Sequence, residues 1–294
     1  MKTVKNAPAL TLLLLFLGSS LGALEISANG GAGNLLFESN RNEALGNGTI
    51  EPWPYFEGSL GLRGEFSQGL DISAVLKSDP VLRNILSAEL LFTAKNMQFT
   101  MGPVVGLFNT DEKPINPGIS AGVLFTLPAI LTIEASIASS VGAGLYANGD
   151  YSQETGKVSA GFYLPNVFAS LQVDMRSFIE QKTGGLIVKD ELVRTVFASF
   201  IYADTVPHNV RIDLGWQSLK RTFITTDDIS DEDKIDELSS LFAGFDAHFT
   251  LHPSLQLTLA FEAPVYSWAE KPLHNPALNT FFFRASTGII WKIN

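Results

Sequence analysis

Residues 56–66 alternate along their whole length. Phe56, Gly58, Leu60, Leu62, Gly64 and Phe66 occupy one set of positions, and Glu57, Ser59, Gly61, Arg63 and Glu65 the other. A period of two puts successive side chains on opposite faces of an extended chain, so this segment reads as a strand with one apolar face. The pattern recurs. Ile133, Ala135 and Ile137 oppose Glu134 and Ser136, and Leu171, Val173 and Met175 oppose Gln172, Asp174 and Arg176. Val210, Ile212, Leu214 and Trp216 oppose Arg211 and Asp213, and Phe245, Ala247 and Phe249 oppose Asp246 and His248. Reading every such run as a strand predicts about fourteen (12–14). They fall near 24–37, 54–66, 69–78, 84–95, 97–108, 118–127, 129–139, 156–164, 166–178, 191–203, 208–220, 239–251, 254–267 and 279–293. Pro103 lacks a ladder donor and predicts a bulge or an early strand end.

The connections between these runs alternate in length. Long ones fall at 38–53, 79–83, 109–117, 140–155, 179–190, 221–238 and 268–278. Short ones fall at 67–68, 95–97, 128, 165, 204–207 and 252–253. Short turns on one side and long loops on the other are the plan of an up-and-down transmembrane barrel. The expected fold is therefore all-β: a closed antiparallel up-and-down transmembrane β-barrel over 24–294, with no second domain and no N-terminal plug before the first strand.

Composition separates this from the other membrane class. Charged residues are 17% and mean hydropathy is +0.18, yet a spanning helix needs about 20 consecutive apolar residues. The one comparable run, 9–17, is too short. Lys2 and Lys5 precede that run, and Gly18, Ser19, Ser20 and Gly22 follow it. A positive start, a short apolar core and small residues predict a secretory signal peptide over 1–23, cleaved after about residue 22–23. The chain has no cysteine, which excludes disulfides, thiolate metal sites and a lipoprotein anchor. A net charge of −10 with no basic patch gives no expectation of nucleic-acid binding.

A soluble barrel also alternates, with its apolar face inward, so orientation is argued from the ionic residues. Glu57, Glu65, Asp71, Glu89, Glu134, Asp174, Asp213, Asp246 and Glu262 share the polar face with Arg63, Lys77, Lys95, Lys157, Arg176, Arg194, Arg211, Arg284 and Lys292. The apolar face is expected to carry no charge, since Arg or Lys facing lipid costs about 2–4 kcal/mol at mid-bilayer. The polar face is rich in Gly, Ser and Thr, where a soluble exterior would carry more Lys and Glu. Aromatics gather at strand ends: Trp53, Tyr55, Phe56, Phe66, Phe108, Tyr163, Tyr202, Tyr266, Trp268, Phe281 and Trp291. These predict girdles at the two membrane interfaces.

With these features the chain resembles the bacterial outer-membrane β-barrel, or porin-like, proteins at the level of architecture. The resemblance implies residence in the outer membrane, with its lipid bilayer as the main partner, and delivery by the barrel insertion machinery. Such chains commonly end in an aromatic residue. This one ends Trp291-Lys292-Ile293-Asn294.

The polar face then lines a lumen with equal numbers of acids and bases, and the charged residues named above, with His248, are the expected lining. A passive channel for small hydrophilic solutes is one reading. A barrel closed by side chains or an inward loop is another. A surface receptor or adhesin is a third, resting on the acidic loop Asp227, Asp228, Asp231, Glu232, Asp233, Asp236 and Glu237. That cluster lacks calcium-loop spacing and reads as a solvated loop, with no metal expected. A hydrolase would need a base such as His248, oriented by Asp246, with Ser239 or Ser240 as nucleophile, but no serine has a motif around it. His208, His252 and His274 have no ligand spacing, and no cofactor is expected. A transporter of hydrophobic substrates would usually carry a longer N-terminal hatch.

Overall fold

The structure, a computed structural model, describes residues 24–33, 55–140, 149–165, 167–182, 185–203, 208–225, 234–269 and 283–293. The expected signal peptide, loop 38–53, His274 and the acidic residues Asp227, Asp228, Asp231, Glu232 and Asp233 lie outside them. Fourteen strands run through the described residues: β1 Leu24–Gly33, β2 Tyr55–Ser67, β3 Leu70–Asp79, β4 Arg83–Ala94, β5 Met97–Leu107, β6 Ile115–Leu127, β7 Leu131–Ser139, β8 Tyr151–Leu164, β9 Val167–Gln181, β10 Leu186–Ala203, β11 His208–Thr225, β12 Lys234–His252, β13 Leu255–Trp268 and β14 Arg284–Ile293. Each pairs antiparallel with its neighbours in sequence. β1 closes on β14, from Leu24 opposite Ile293 to Gly33 opposite Arg284. Closure follows from the solvent, because hydrocarbon offers no partner for an unpaired edge.

Pairing register confirms the predicted faces. Leu60, Leu90, Met101, Ile119 and Ile137 are all exposed on the outer wall, where a soluble protein would bury them. At the short-turn end Phe66 and Trp291 look outward. At the other end Tyr266 and Trp268 stack outward, with ring centres 5.7 Å apart. Tyr163 departs from this plan. Its register puts it on the lumen side, against Phe168, whose ring lies over Gly161.

Pro103 does not end β5. Pairing to β6 continues through Pro103 opposite Ile119, while pairing to β4 lapses between Ser87–Val104 and Leu90–Met101. The lost donor is confined to one neighbour. The preceding Gly102 lies so close to the Ala88 carbonyl that no Cβ would fit there.

Strand length is uneven. β7 has 9 residues and β12 has 19, against the 9–11 or so that a tilted crossing needs. The surplus on β8–β12 lies at the long-connection end. It brings Glu154, Ser177, Glu191, Lys220 and Glu237 into one row across five strands. By parity this row is on the outer wall, and Lys189 beside it pairs with Glu191 at 2.7 Å. The expectation of a charge-free outer face thus holds along the apolar belt and stops at this row, where the strands rise beyond the hydrocarbon. Asp236 and Glu237, expected in a loop, belong to β12 for the same reason.

Candidate functional site

The polar face encloses a lumen whose character changes along its length. At the short-turn mouth the ionic side chains are solvated. Arg63 pairs with Asp71 at 2.8 Å, next to Glu65, and half of the Arg63 side chain is exposed. His248 Nε2 lies 3.0 Å from Asp246 Oδ1. The pair exists as predicted, but its nucleophile does not. Ser240 is eight residues away on the same strand, about 26 Å at strand spacing, and the register neighbours of His248 are Asn209 and Thr258.

Midway, long side chains lie along the wall. Arg194 on β10 reaches Glu262 on β13 at 2.6 Å, with its guanidinium 4.0 Å above the Phe242 ring. Between them Gly244 offers no side chain, and Arg194 Nη2 lies 4.0 Å from where its Cβ would stand. Arg284 on β14 spans β1, where its register partner is Gly33, to reach Glu57 on β2, also at 2.6 Å. Arg211 donates to Asp213 at 2.8 Å and to Ser199 at 3.1 Å. Lys157 meets Glu134 at 2.7 Å, and the Ser120 hydroxyl donates to Glu89 at 2.9 Å. A polar cavity of about 280 Å³ remains among these groups, lined by Asn29, Gln172, Arg211, Asp246 and Ser286 among others. Lumen glycines let the ion pairs lie flat and keep this space open.

At the long-connection end the lumen is crossed. The β3–β4 connection, residues 80–82, folds inward rather than outward. Asp79 Oδ1 accepts the backbone N–H groups of Val81 and Leu82, both at 2.9 Å, and shapes the turn. Val81 then packs with Leu192 of β10 and Leu219 of β11, on the opposite wall. Gln153 of β8 donates to the Leu82 carbonyl at 2.5 Å. Asp79 Oδ2 receives Arg176 of β9 at 2.8 Å and Lys77 at 3.0 Å. Arg83 holds a left-handed backbone, φ 64°, which is unusual for a non-glycine residue. Its guanidinium covers the Phe178 ring at 3.7 Å and lies 3.5 Å from both Glu180 and Asp190. Behind it, Arg221 grips Asp190 through two bonds of 2.5 and 2.7 Å, and its register partner is Asp236. Beside the crossing, the Asn116 amide donates to the Tyr151 carbonyl and to Ser140.

By register the lining residues expected from the sequence share the polar face except Lys95, which stands in the β4–β5 turn with a left-handed φ of 51°, and the fold brings Arg176 to a partner six strands away. Sequence reasoning missed Asp79, Arg83, Asp190 and Arg221, and with them Phe178 and Phe242 on the polar face. One signal was present: Val81 and Leu82 are two apolar residues in a connection otherwise expected to face water. The added lumen charges are Glu25, Asp79, Glu180, Asp190 and Asp236 against Arg83 and Arg221, so the balanced lumen becomes acidic. Among the described residues no group of acidic or histidine side chains forms a metal site.

No protein-family model matches the sequence, and no curated protein matches it. Solved structures do share its shape. An outer membrane channel from Pseudomonas putida F1 superposes with a TM-score of 0.51 at 8% identity, over 92% of this chain and 95% of that one. A loop-deletion form of OmpT, an outer membrane protein of Vibrio cholerae, gives 0.43 at 7% identity, over 93% and 100%. A porin gives 0.39 at 11%, over 92% and 99%. At such identities the likeness is one of fold. With the apolar outer belt and the enclosed polar lumen, the fold defines this protein as a transmembrane β-barrel of the outer-membrane type.

Proposed function

We propose that the barrel is a passive channel for small hydrophilic solutes, narrowed at its long-connection end by the β3–β4 segment. The supporting observation is the flattened ion pairing of the lumen. Arg194–Glu262 and Arg284–Glu57 lie across glycines and leave a polar cavity between the walls, where bulkier lining would fill it. The excess of acid over the lumen face as a whole favours cations weakly, since fixed charge along a confined path raises the local counter-ion concentration. Delivery follows the exported-barrel route, with a cleaved signal peptide and the insertion machinery. The barrel works without cofactor or catalysis.

The reading is tested by recording the refolded protein in a planar bilayer under a salt gradient. Discrete current steps with a weak cation preference support it, and a silent bilayer contradicts it. The inward β3–β4 segment also favours a second reading, a barrel with a closed lumen that acts through its surface. That reading predicts no steps even after residues 80–82 are replaced by a shorter glycine linker.

A further inference from the structure

Among the contacts that attach the β3–β4 segment to the opposite wall, two can be replaced by the wall itself. Arg176 is the clearest case. Its Nη1 bonds Asp79 of the crossing segment at 2.8 Å, while its Nε lies 3.9 Å from Asp174 Oδ1 on its own strand. That oxygen is buried and accepts no hydrogen bond from the protein. Asp174 does hold Gln172 through its other oxygen, at 3.2 Å, which fixes its position. A small rotation of Arg176 would exchange Asp79 for Asp174. Asp79 would not be stripped of charge pairing either, because Lys77, two residues before it on β3, already sits 3.0 Å away on a long side chain that can follow it.

The second attachment has the same property. Arg83 approaches Asp190 at 3.5 Å, but Asp190 is already held by both bonds from Arg221. Withdrawal of Arg83 leaves that wall pair intact. Arg83 itself sits in the left-handed region, a conformation retained only where surrounding contacts impose it. The apolar attachment is small: Val81 against Leu192 and Leu219. Gln153 also holds the Leu82 carbonyl, and Arg83 also meets Glu180 and the Phe178 ring. The Asp79 and Asp190 contacts are the ones with replacements on the wall, and with a left-handed hinge residue they suit an element that takes two arrangements.

From these contacts we infer that residues 79–83 form a gate, and that Arg176 is its switch, bonded to Asp79 when the gate is seated and to Asp174 when it is released. Asp174 is a positioning residue. It does not touch the segment but stabilises the released state. The inference rests on the channel reading above, and the experiment separates the two.

Single-channel recordings of the refolded full chain should show two conductance levels. Asp79→Asn should raise the ratio of high-level to low-level dwell time by about fivefold or more, the scale of ordinary coupling between sites. Asp174→Asn should lower that ratio, because the released state loses its partner. A merely structural role for Asp174 predicts no shift in that direction. The chain has no native cysteine, so Val81→Cys with Leu219→Cys gives a clean bridge. Joining the two thiols should hold the low level until reductant is added. A single level that the bridge does not alter overturns the gate while leaving the channel standing, as does an unchanged or raised dwell ratio in the Asp174 variant. If no current appears even with residues 80–82 shortened, the channel reading itself fails.

Discussion

Arg176 and Asp79 stand 97 residues apart in sequence and on opposite walls of the barrel, yet their side chains meet at 2.8 Å. The contact goes with the inward fold of residues 80–82 at the end of β3, which Asp79 shapes by accepting the Val81 and Leu82 N–H groups. It converts a uniform cylinder into a mouth, a polar chamber and a crossed end.

Replacing residues 80–82 by a shorter glycine linker removes Val81 and Leu82 from the lumen and breaks the turn held by Asp79. The expected outcome is a larger unitary conductance with the barrel intact. Recordings beside a heat-modifiability check on gels would show both.

Gly244 keeps the path of Arg194 clear. A Cβ at this position would stand 3.5 Å from Asp213 Cβ and 4.0 Å from Arg194 Nη2, and the rest of a leucine side chain would extend into the space that Arg194 uses. Gly244→Leu is expected to push Arg194 off the wall and lower the unitary conductance, whereas Gly30→Ala, with open space around its position, should leave it unchanged.

Arg221 is 1% exposed and is held by Asp190. Removing one partner of a buried pair leaves the other uncompensated, at a cost of about 3–5 kcal/mol. Arg221→Ala should therefore lower unfolding stability in lipid vesicles by that amount. Changing Arg221→Met and Asp190→Leu together should cost less than the two single changes added, because the pair goes as a unit while Arg83 and Asp236 each lose one neighbour.

The outer wall gives a depth test. Val158 faces outward near the middle of the apolar belt and is exposed. Val158→Arg should cost about 2–4 kcal/mol, as for basic residues at the bilayer midplane. Lys220→Leu, in the charged row above the belt, should change stability by no more than about 0.5 kcal/mol, as for ordinary surface positions. Urea titration of refolded variants in vesicles would read both.

Much of this barrel was legible because a transmembrane strand is an unusually constrained object. Period two, excluded charge and alternating loop length each follow from the bilayer, and they located β2, β7 and β13 within two residues or so of their ends. The surplus of β8–β12 was not legible. Beyond the hydrocarbon the solvent no longer excludes charge, so Glu154, Lys189 and Glu237 read as loop although they are paired strand. The crossing was not legible either. Leu192, Leu219 and Phe242 occupy the lumen face as apolar residues, and alternation assigns them no role until Val81 and Arg194 arrive from other strands. Local pattern specifies which face a residue takes. It does not specify what crosses the interior to meet it.

The central claim is one of orientation: Leu171 faces acyl chains and its neighbour Gln172 faces an aqueous lumen. Leu171→Cys and Gln172→Cys, each in the protein refolded into vesicles, can be challenged with a small water-soluble maleimide that does not enter hydrocarbon. The account predicts rapid labelling at 172 and protection at 171. Labelling at 171 with protection at 172 would contradict it.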